Sequence, residues 1–312
     1  PTGCSTPDMF STVLRRPGGH GTIRPVAKDT TTIEAVCSWF ETAARQLPWR
    51  ATSPWGVLVS EFMLQQTPVA RVEPQWWAWM DRWPEPVDLA AEPAGEAVRA
   101  WGRLGYPRRA LRLHAAAVAI TDRYGGQVPS DEQDLLALPG VGEYTAAAVR
   151  AFAFGLPSVV LDVNVRRVLA RAWSGMAEPP GHLTAVERAL AQGLAELAPN
   201  PAQWAAASME LGALVCTKRE PDCTACPLQD DCAWQAAGAP KVDFVVRRQP
   251  RYEGSDRQAR GRLLAALRDA DEPLARASLL AEVANGEQAE RALSSLIADG
   301  LVVDDATGLR LP

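Results

Sequence analysis

Apolar side chains recur along most of this chain every three or four residues, the spacing of one face of an α-helix. The first such face begins near residue 32 and carries Ile33, Val36, Trp39 and Phe40. Ala and Leu, which favour helices, dominate five later segments, at residues 111–121, 144–155, 164–173, 184–197 and 202–215. Prolines separate the helix-like segments and β-branched runs are scarce. The pattern therefore predicts a mainly α protein of many short helices joined by tight turns.

Composition divides the chain into four parts. Residues 1–29 are rich in Gly, Pro, Ser and Thr without periodicity, which predicts a disordered tail. Residues 30–234 form the main helical region, and residues 235–256, with Gly, Pro and a basic run, predict a linker. Residues 257–312 carry helical segments followed by a hairpin with its turn at 305–308, which predicts a small winged-helix-like module. Seven Arg against ten acidic residues over 256–312 favour a packing or protein-contact role for it over DNA binding.

Overall charge counts against nucleic-acid binding, but its distribution does not. The formal net charge is -5, whereas residues 97–121 contain no acid. Arginines crowd that stretch and a second one, at Arg99, Arg103, Arg108, Arg109, Arg112, Arg123, Arg150, Arg166, Arg167 and Arg171. Two interpretations remain open: a basic face for a phosphate backbone, and ordinary solvated helix faces. No apolar run reaches the length of a membrane span, so no membrane protein is expected.

Four of the six cysteines lie within 17 residues, at Cys216, Cys223, Cys226 and Cys232. Thiolates at such close spacing suit zinc or an iron–sulfur cluster. Structural zinc sites usually use two closely spaced pairs, whereas only one gap here is of two residues. The spacing is therefore unusual for structural zinc, and both zinc and an iron–sulfur cluster remain open. Lys218 and Arg219 lie inside this loop, where they can meet phosphate.

Two further motifs carry candidate chemistry. Leu-Pro-Gly-Val-Gly-Glu-Tyr-Thr at 138–145 leads into an Ala-rich helix, and its glycines permit a tight turn with exposed backbone N–H groups. Asp162 follows Gly140 by twenty-two residues. Glu61 is a lone acid in a mostly apolar helical segment, Val-Ser-Glu-Phe-Met-Leu-Gln-Gln-Thr at 59–67.

Together these motifs resemble the MutY adenine DNA glycosylases of the helix-hairpin-helix superfamily, which also contains endonuclease III. The 59–67 segment is similar almost residue for residue to the corresponding MutY stretch. The Leu-Pro-Trp-Arg run at 47–50, Leu-Gly-Tyr at 104–106 and Glu-Leu-Gly-Ala-Leu-Val-Cys at 210–216 also match, in the family's order. The resemblance runs from about residue 32 to residue 232. It implies a two-lobed helix-hairpin-helix fold whose four clustered cysteines hold a [4Fe–4S] cluster.

The same resemblance implies a substrate and catalytic residues. The substrate is double-stranded DNA with adenine opposite 8-oxoguanine or guanine, and the adenine must be extruded before its glycosidic bond is cut. Glu61 would protonate N7 of adenine and later help to activate water, while Asp162 stays ionised and stabilises the sugar cation. Asn164 would orient Glu61 or the water, and Tyr144 would support that network. Endonuclease III has a Lys where Tyr144 stands, so the resemblance implies a monofunctional glycosylase without efficient strand cleavage.

DNA contacts also follow from the resemblance. Gln65, Gln66, Thr67 and Tyr106 would lie near the mispair, and Arg50 would line the adenine pocket. Backbone N–H groups of Gly140, Val141 and Gly142 would face a phosphate. A monomer in the cytoplasm, associated with the nucleoid, is expected.

This sequence departs from the family's pattern after residue 256. Many MutY proteins carry there a domain similar to 8-oxo-dGTP hydrolases, with a Phe-Ser-His segment that reads the oxidised guanine, and this chain shows no such segment. Broader mispair use is therefore expected. Two alternatives stay open: a glycosylase of the same superfamily for mispaired uracil or thymine, and a non-catalytic iron–sulfur DNA-binding protein.

Overall fold

A computed structural model describes residues 26–240 and 251–312 of this chain, and these residues are mainly helical. The α-helices are α1 (Val26–Ala43), α2 (Pro54–Leu64), α3 (Val69–Arg82), α4 (Pro86–Ala90), α5 (Ala94–Trp101), α6 (Arg108–Tyr124), α7 (Glu132–Leu136), α8 (Glu143–Phe154), α9 (Val163–Ala172), α10 (Ala185–Leu197), α11 (Pro201–Leu214), α12 (Ala233–Ala236), α13 (Asp256–Asp269), α14 (Arg276–Leu280) and α15 (Gly286–Ala298). Short 3-10 helices span Pro48–Arg50, Cys223–Ala225 and Gln229–Asp231. Strands β1 (Val303–Asp305) and β2 (Gly308–Arg310) form an antiparallel hairpin.

The helices begin and end where local chemistry favours it. Pro54 occupies the first turn of α2, and the Ser53 side chain accepts a hydrogen bond from the amide of Gly56 at 3.2 Å. Thr184 and Glu187 form a reciprocal capping box at the start of α10. The five Ala- and Leu-rich segments fall on α6, α8, α9, α10 and α11, within three residues of their predicted ends. The mainly α prediction is confirmed.

One boundary differs from the sequence expectations. Helix α1 starts at Val26, so the last four residues of the predicted tail are helical. The rest of that tail, and residues 241–250 of the predicted linker, lie outside the described residues. The chain also divides into two compact units, the first drawn from Pro1–Arg50 with Ala146–Phe244 and the second from Ala51–Thr145 with Val245–Pro312. The helical region predicted at residues 30–234 contributes to both units, in agreement with the two-lobed fold that the resemblance implies, because the chain leaves the first unit after Arg50 and returns at Ala146.

Tryptophan packing dominates the core of the second unit. Trp79 packs edge-on against Trp83 and Trp101, with ring centroids 4.7 and 5.7 Å apart. Trp55 is 1% exposed and its indole N–H donates to the carbonyl of Trp83 at 3.0 Å. Burying such large rings with edge-to-face contacts contributes strongly to stability. Helix α2 lies in this core, with every residue from Trp55 to Met63 buried.

The C-terminal module belongs to the second unit and bonds to its helices. The Arg99 guanidinium donates to the carbonyls of Arg268 and Ala270, and Arg268 Nε donates to the carbonyl of Val98 at 3.0 Å. At the start of α6, Arg108 forms an ion pair with Asp299 at 3.2 Å. Three helices followed by a hairpin match the predicted element order. These bonds give the module a packing role within its unit.

The first unit has a separate core built from α1, α9, α10 and α11. Ile33 and Val36 pack with Leu169, Leu194 and Leu211 among others. Trp173 contacts the Trp204 ring at 6.0 Å between centroids, and its indole N–H donates to Asp29 at 2.9 Å. In the described ranges, none of the helices is long and apolar enough to cross a membrane.

Candidate active site

Glu61 is the acidic residue of α2. Its side chain lies in a helix that is buried along nearly its whole length, and only 6% of the residue is exposed. Phe62 and Met63 beside it are fully buried. Withdrawal from bulk water of this kind is the setting in which a carboxylic acid can serve as a general acid.

Two tight turns follow Glu61 in the same unit. At the end of α2, Gln66 has φ +55°, and Thr67 Oγ1 is 3.4 Å from the carbonyl of Leu104. The second turn contains Gly105 at φ +84° and Tyr106 at φ +47°, and the Tyr106 side chain is 60% exposed. Left-handed backbone at a Gln and at a Tyr is uncommon, and such strain tends to occur at functional sites.

The helix-hairpin-helix turn joins α7 to α8. Gly140 has φ +82°, and an added Cβ would lie 2.9 Å from the Phe62 ring, so both conformation and space require glycine there. Gly140 and Gly142 are exposed, whereas Val141 is buried and its N–H donates to the carbonyl of Leu138 at 3.2 Å. The glycine amides are therefore the better candidates for a phosphate, and the prediction for the Val141 amide is weakened because that N–H closes the turn. Tyr144 lies half-buried in the first turn of α8.

Asp162 caps the N-terminus of α9 in the first unit. Its Oδ1 accepts hydrogen bonds from the amides of Asn164 at 2.9 Å and Val165 at 2.7 Å, and its Oδ2 accepts from Asn164 Nδ2 at 2.7 Å. Burial raises the pKa of Asp162 above its ordinary value, while these donors and the nearby Arg167 charge oppose that rise. The helix N-terminus and three N–H donors thus face a half-buried carboxylate.

Arg167 connects this aspartate cap to the cysteine loop. Its Nη2 donates to Asn164 Oδ1 at 2.8 Å and to the carbonyl of Gly212 at 2.6 Å, while its Nε donates to the carbonyl of Cys216 at 2.7 Å. Arg171 is also buried and donates to the carbonyl of Thr217 at 2.7 Å. The sequence left open a phosphate-binding face and a solvated helix face for these arginines. Neither interpretation fits, because both guanidinium groups are buried and donate to backbone carbonyls. Asn164, in turn, bonds Asp162 and Arg167 within its own unit.

Comparison with known proteins decides the family. A family model described as HhH-GPD superfamily base excision DNA repair protein matches residues 59–195. The adenine DNA glycosylase of Mycolicibacterium smegmatis is 51% identical over 276 residues, which cover 87% of this chain and 92% of that protein.

The chain belongs to the adenine DNA glycosylase family.

Further relatives and solved structures agree. The adenine DNA glycosylase of Mycobacterium tuberculosis is 47% identical over 87% of this chain and 90% of that protein. The human adenine DNA glycosylase is 39% identical over 67% of this chain and 40% of that protein. A thermostable thymine-DNA glycosylase gives a TM-score of 0.59 at 26% identity, covering 68% of this chain and 98% of that one. An endonuclease III–DNA complex gives the same TM-score and covers 70% of this chain and 100% of that one. Because the identity is only 23%, this likeness shows the fold alone. The predicted helix-hairpin-helix glycosylase fold is confirmed.

The predicted site residues of this adenine DNA glycosylase family member divide between the two units. Glu61, Tyr144, the residues of the two turns and the glycines of the hairpin belong to the second unit, and Asp162, Asn164, Arg50 and the four clustered cysteines belong to the first. Arg50 lies beside Glu210, with Nη2 3.0 Å from Glu210 Oε2, and its guanidinium lies 4.9 Å from the Phe40 ring centroid. Glu210 is 2% exposed in its side chain and also pairs with Arg45 at 2.7 Å. The charge of Arg50 is engaged by this buried carboxylate. The adenine-pocket role of Arg50 stays a prediction.

The four clustered cysteines satisfy several requirements of a thiolate-bound centre. Cys216, Cys226 and Cys232 pack against the core of the first unit, and no disulfide links the cysteines in the described part of the chain. Burial raises the pKa of the Cys226 thiol to about 12, and the charges of the other three cysteines act on it in the same direction. Gln235 Nε2 lies 2.8 Å from Cys223 Sγ, and Arg171 Nη1 lies 3.5 Å from Cys216 Sγ. N–H donors to sulfur are a usual feature around thiolate ligands.

The side-chain positions of the described residues do not by themselves outline a metal site. Within residues 26–240 and 251–312, no group of three or more His, Cys, Asp and Glu side chains forms a site for one metal ion. Four clustered thiols with N–H donors to sulfur suit thiolate ligation of either zinc or an iron–sulfur cluster.

Proposed function

We propose that this chain is a base-excision-repair glycosylase that hydrolyses the N-glycosidic bond of adenine opposite 8-oxoguanine or guanine in double-stranded DNA. Membership of the adenine DNA glycosylase family is the observation that carries adenine as the base removed. Glu61, buried in α2, and Asp162, bonded at the N-terminus of α9, supply the two carboxyl groups that the reaction needs. A monomer associated with the nucleoid is part of the same proposal.

In this mechanism the extruded adenine leaves as a neutral base. Glu61 transfers its proton to N7 as the bond between C1′ and N9 breaks, and the bonding electrons leave with the base. The Asp162 carboxylate stabilises the resulting sugar cation. Water then adds to C1′, and its proton passes to the Glu61 carboxylate, which restores the acid. Asn164 acts by holding Asp162, because its amide bonds Oδ2 of that carboxylate.

Tyr144 and the hairpin complete the proposal. A phenol cannot form a Schiff base with the sugar, so the enzyme should release adenine without cutting the strand. The exposed amides of Gly140 and Gly142, at the N-terminus of the twelve-residue helix α8, are proposed to hold a DNA phosphate. Gln65, Gln66, Thr67 and Tyr106 are proposed to contact the mispair.

Replacing Asn164 with Ala should move the acid limb of the pH–rate profile toward higher pH. The reaction needs ionised Asp162, whose pKa burial already raises, so activity is lost as the pH falls through that pKa. Removing a donor to the carboxylate raises the pKa further, and we expect a loss of roughly tenfold in rate on the acid side. Single-turnover rates from pH 4 to pH 9 measure the shift. A limb that stays in place would exclude a positioning role for Asn164.

Cys216, Cys223, Cys226 and Cys232 are proposed to hold a [4Fe–4S] cluster, which when bound supplies a structural centre for the loop. The Cys226→Ser variant should lose iron and unfold at a lower temperature, because a thiolate ligand and the cluster's constraint on the loop are lost together. Iron and sulfide analysis of the purified parent, with thermal unfolding of both proteins, tests this; Cys37→Ser, outside the loop, is the control. One zinc and no iron per parent chain would contradict the cluster.

A panel of duplexes tests the substrate. Release of free base is measured from adenine opposite 8-oxoguanine, guanine and cytosine, and from thymine or uracil opposite guanine. We expect adenine release from the first two. Thymine or uracil release without adenine release would favour the alternative that the 26% identity to a thymine-DNA glycosylase suggests. No release from any duplex, with retained DNA binding, would favour the non-catalytic alternative.

A further inference from the structure

A single buried guanidinium lies where three segments of the second unit meet. Arg109, in the first turn of α6, is 6% exposed. Around it are the end of α2, the turn at Gln65–Thr67 and the turn at Gly105–Tyr106. We refer to the latter two as the glutamine turn (residues 65–67) and the tyrosine turn (residues 105–106).

Arg109 bonds all three segments at once. Its Nη1 donates to the carbonyls of Phe62 at 2.9 Å, Met63 at 3.1 Å and Gln65 at 2.5 Å. Its Nη2 donates to Thr67 Oγ1 at 2.9 Å and to the carbonyl of Gly105 at 3.1 Å. The Phe62 and Met63 carbonyls belong to the last turn of α2, where helix carbonyls have no partner within the helix. The guanidinium thus ends the Glu61 helix and joins both turns to it.

The two turns are also where the backbone is least relaxed. Gln66 and Tyr106 are two of three non-glycine residues with positive φ in the described chain, and the third, Ala239, lies in the other unit. Such conformations persist only where surrounding contacts enforce them. Arg109 bonds Gln65 and Thr67 on either side of Gln66, and Gly105 next to Tyr106, so it is placed to enforce both.

Arg109 also orients the exposed ring. Its guanidinium carbon lies 5.5 Å from the Tyr106 ring centroid and 5.2 Å from that of Trp101. One side of the tyrosine therefore has a cation nearby, while 60% of the residue faces solvent. An exposed aromatic ring in a fixed orientation can stack on or wedge between bases. Gln66, exposed on the neighbouring turn, offers an amide for base edges.

The charge of Arg109 is retained at a cost. Burial lowers its pKa to about 10, so it remains protonated at neutral pH. Its acceptors are four carbonyls and one hydroxyl, and its Nε is buried without a partner among the described residues. Burying a charge that no carboxylate balances is unfavourable. Neutral side chains would connect the same segments at a smaller free-energy penalty if the connection were purely structural. The fork of five N–H groups is what lets one side chain reach both turns.

We propose that Arg109 is a positioning residue that holds the glutamine turn and the tyrosine turn as one preformed wedge for the mispaired base pair. The inference rests on the proposed function and extends it to a residue that touches neither the base nor the sugar. The wedge is expected to help to unstack and extrude the target base, so the energetic penalty of its loss should depend on how firmly that base is paired.

The experiment compares Arg109→Lys with the parent on two duplexes. In one, adenine lies opposite guanine; in the other it lies opposite an abasic-site analogue, where it has no pairing partner. Lysine keeps the charge but cannot form the fork. We expect the single-turnover rate to fall by roughly 10- to 100-fold on the paired duplex, since a misplaced positioning group costs about that much, and by less than about threefold on the unpaired one. Fluorescence of 2-aminopurine at the target position reports unstacking without any cleavage. In complexes with Arg109→Lys this fluorescence should be lower than in complexes with the parent, and close to that of the duplex alone.

Two further variants control for folding. Thr67→Val removes one acceptor of the fork with little change of shape and should give a smaller loss of the same kind. Arg268→Lys alters a half-buried arginine of the same unit, which bonds α5 and not either turn, and should leave the paired-to-unpaired rate ratio unchanged. Thermal unfolding of all variants shows how much stability each one loses.

The outcomes separate the inference from the proposed function. Equal losses on both duplexes that follow the fall in unfolding temperature, or unchanged 2-aminopurine fluorescence in Arg109→Lys, would overturn the positioning role. If the parent unstacks 2-aminopurine but releases no adenine, the proposed function fails. The positioning role then still stands if Arg109→Lys loses the fluorescence signal, and fails if it keeps it.

Discussion

Glu61→Gln should retain DNA binding and lose adenine release by roughly 10²- to 10⁴-fold, the usual contribution of a positioned general acid. Glutamine has nearly the same shape as glutamate but no proton to transfer to N7 at neutral pH. Because Glu61 is only 6% exposed, water is poorly placed to replace it. Free adenine released from a duplex with adenine opposite guanine, under single-turnover conditions with enzyme in excess, measures the loss.

The matched control is Glu73→Gln in α3, which makes the same chemical change at a glutamate that is not fully buried. It should leave the rate within about twofold, as surface substitutions usually do. Thermal unfolding of both variants checks that the fold survives. If Glu61→Gln released adenine as fast as the parent, the mechanism would be wrong even though the family assignment would stand.

Asp162→Asn is expected to give the second large effect, a loss of roughly 10²- to 10³-fold in the rate of adenine release, as when one electrostatic stabiliser of a transition state is removed. The substitution removes the negative charge that we propose stabilises the sugar cation. It also keeps the cap of α9, because Asn accepts the bonds from the Asn164 and Val165 amides nearly as well as Asp does. Rates and unfolding temperatures measured on the same preparations separate catalysis from stability.

Asp162→Ala provides the contrast. It removes both the charge and the cap, so it should lose about 1 kcal/mol of stability in addition to the activity. Asp131→Ala, which removes the similar cap of α7, should cost comparable stability while leaving the rate nearly unchanged. If Asp162→Asn kept the parent's rate, Asp162 would be a helix cap and nothing more.

Local sequence patterns predicted the structural features that depend on residues close together along the chain. Helical periodicity located the main helices because an amphipathic helix must bury one face wherever it packs. The hairpin turn between Asp305 and Gly308 was predicted from its flanking strands and its glycine, and the structure confirms it. The Glu61 segment, the Gly140 turn and the cysteine spacing were sufficient to indicate the family, since each motif is a short run whose residues act together.

Arginines were interpreted less well from the sequence. Arg109 and Arg167 were grouped with residues that face phosphate or solvent, yet both are buried and bonded to carbonyls. A signal was present at Arg109, which lies on the same stripe of α6 as Leu113 and Ile120, positions that are fully buried. A charged residue on an apolar stripe is unusual enough to mark a group with partners from elsewhere in the fold.

The sequence by itself therefore determined the helical class and the family and supplied the candidate chemical groups, because these follow from local periodicity and from short motifs. Only the tertiary structure decided how those groups are held. It showed that Asn164 bonds Asp162 and Arg167, and that Arg109 joins two turns some forty residues apart in sequence. The physical reason is that a buried polar group must find its partners in space, and those partners belong to segments whose proximity no local pattern records.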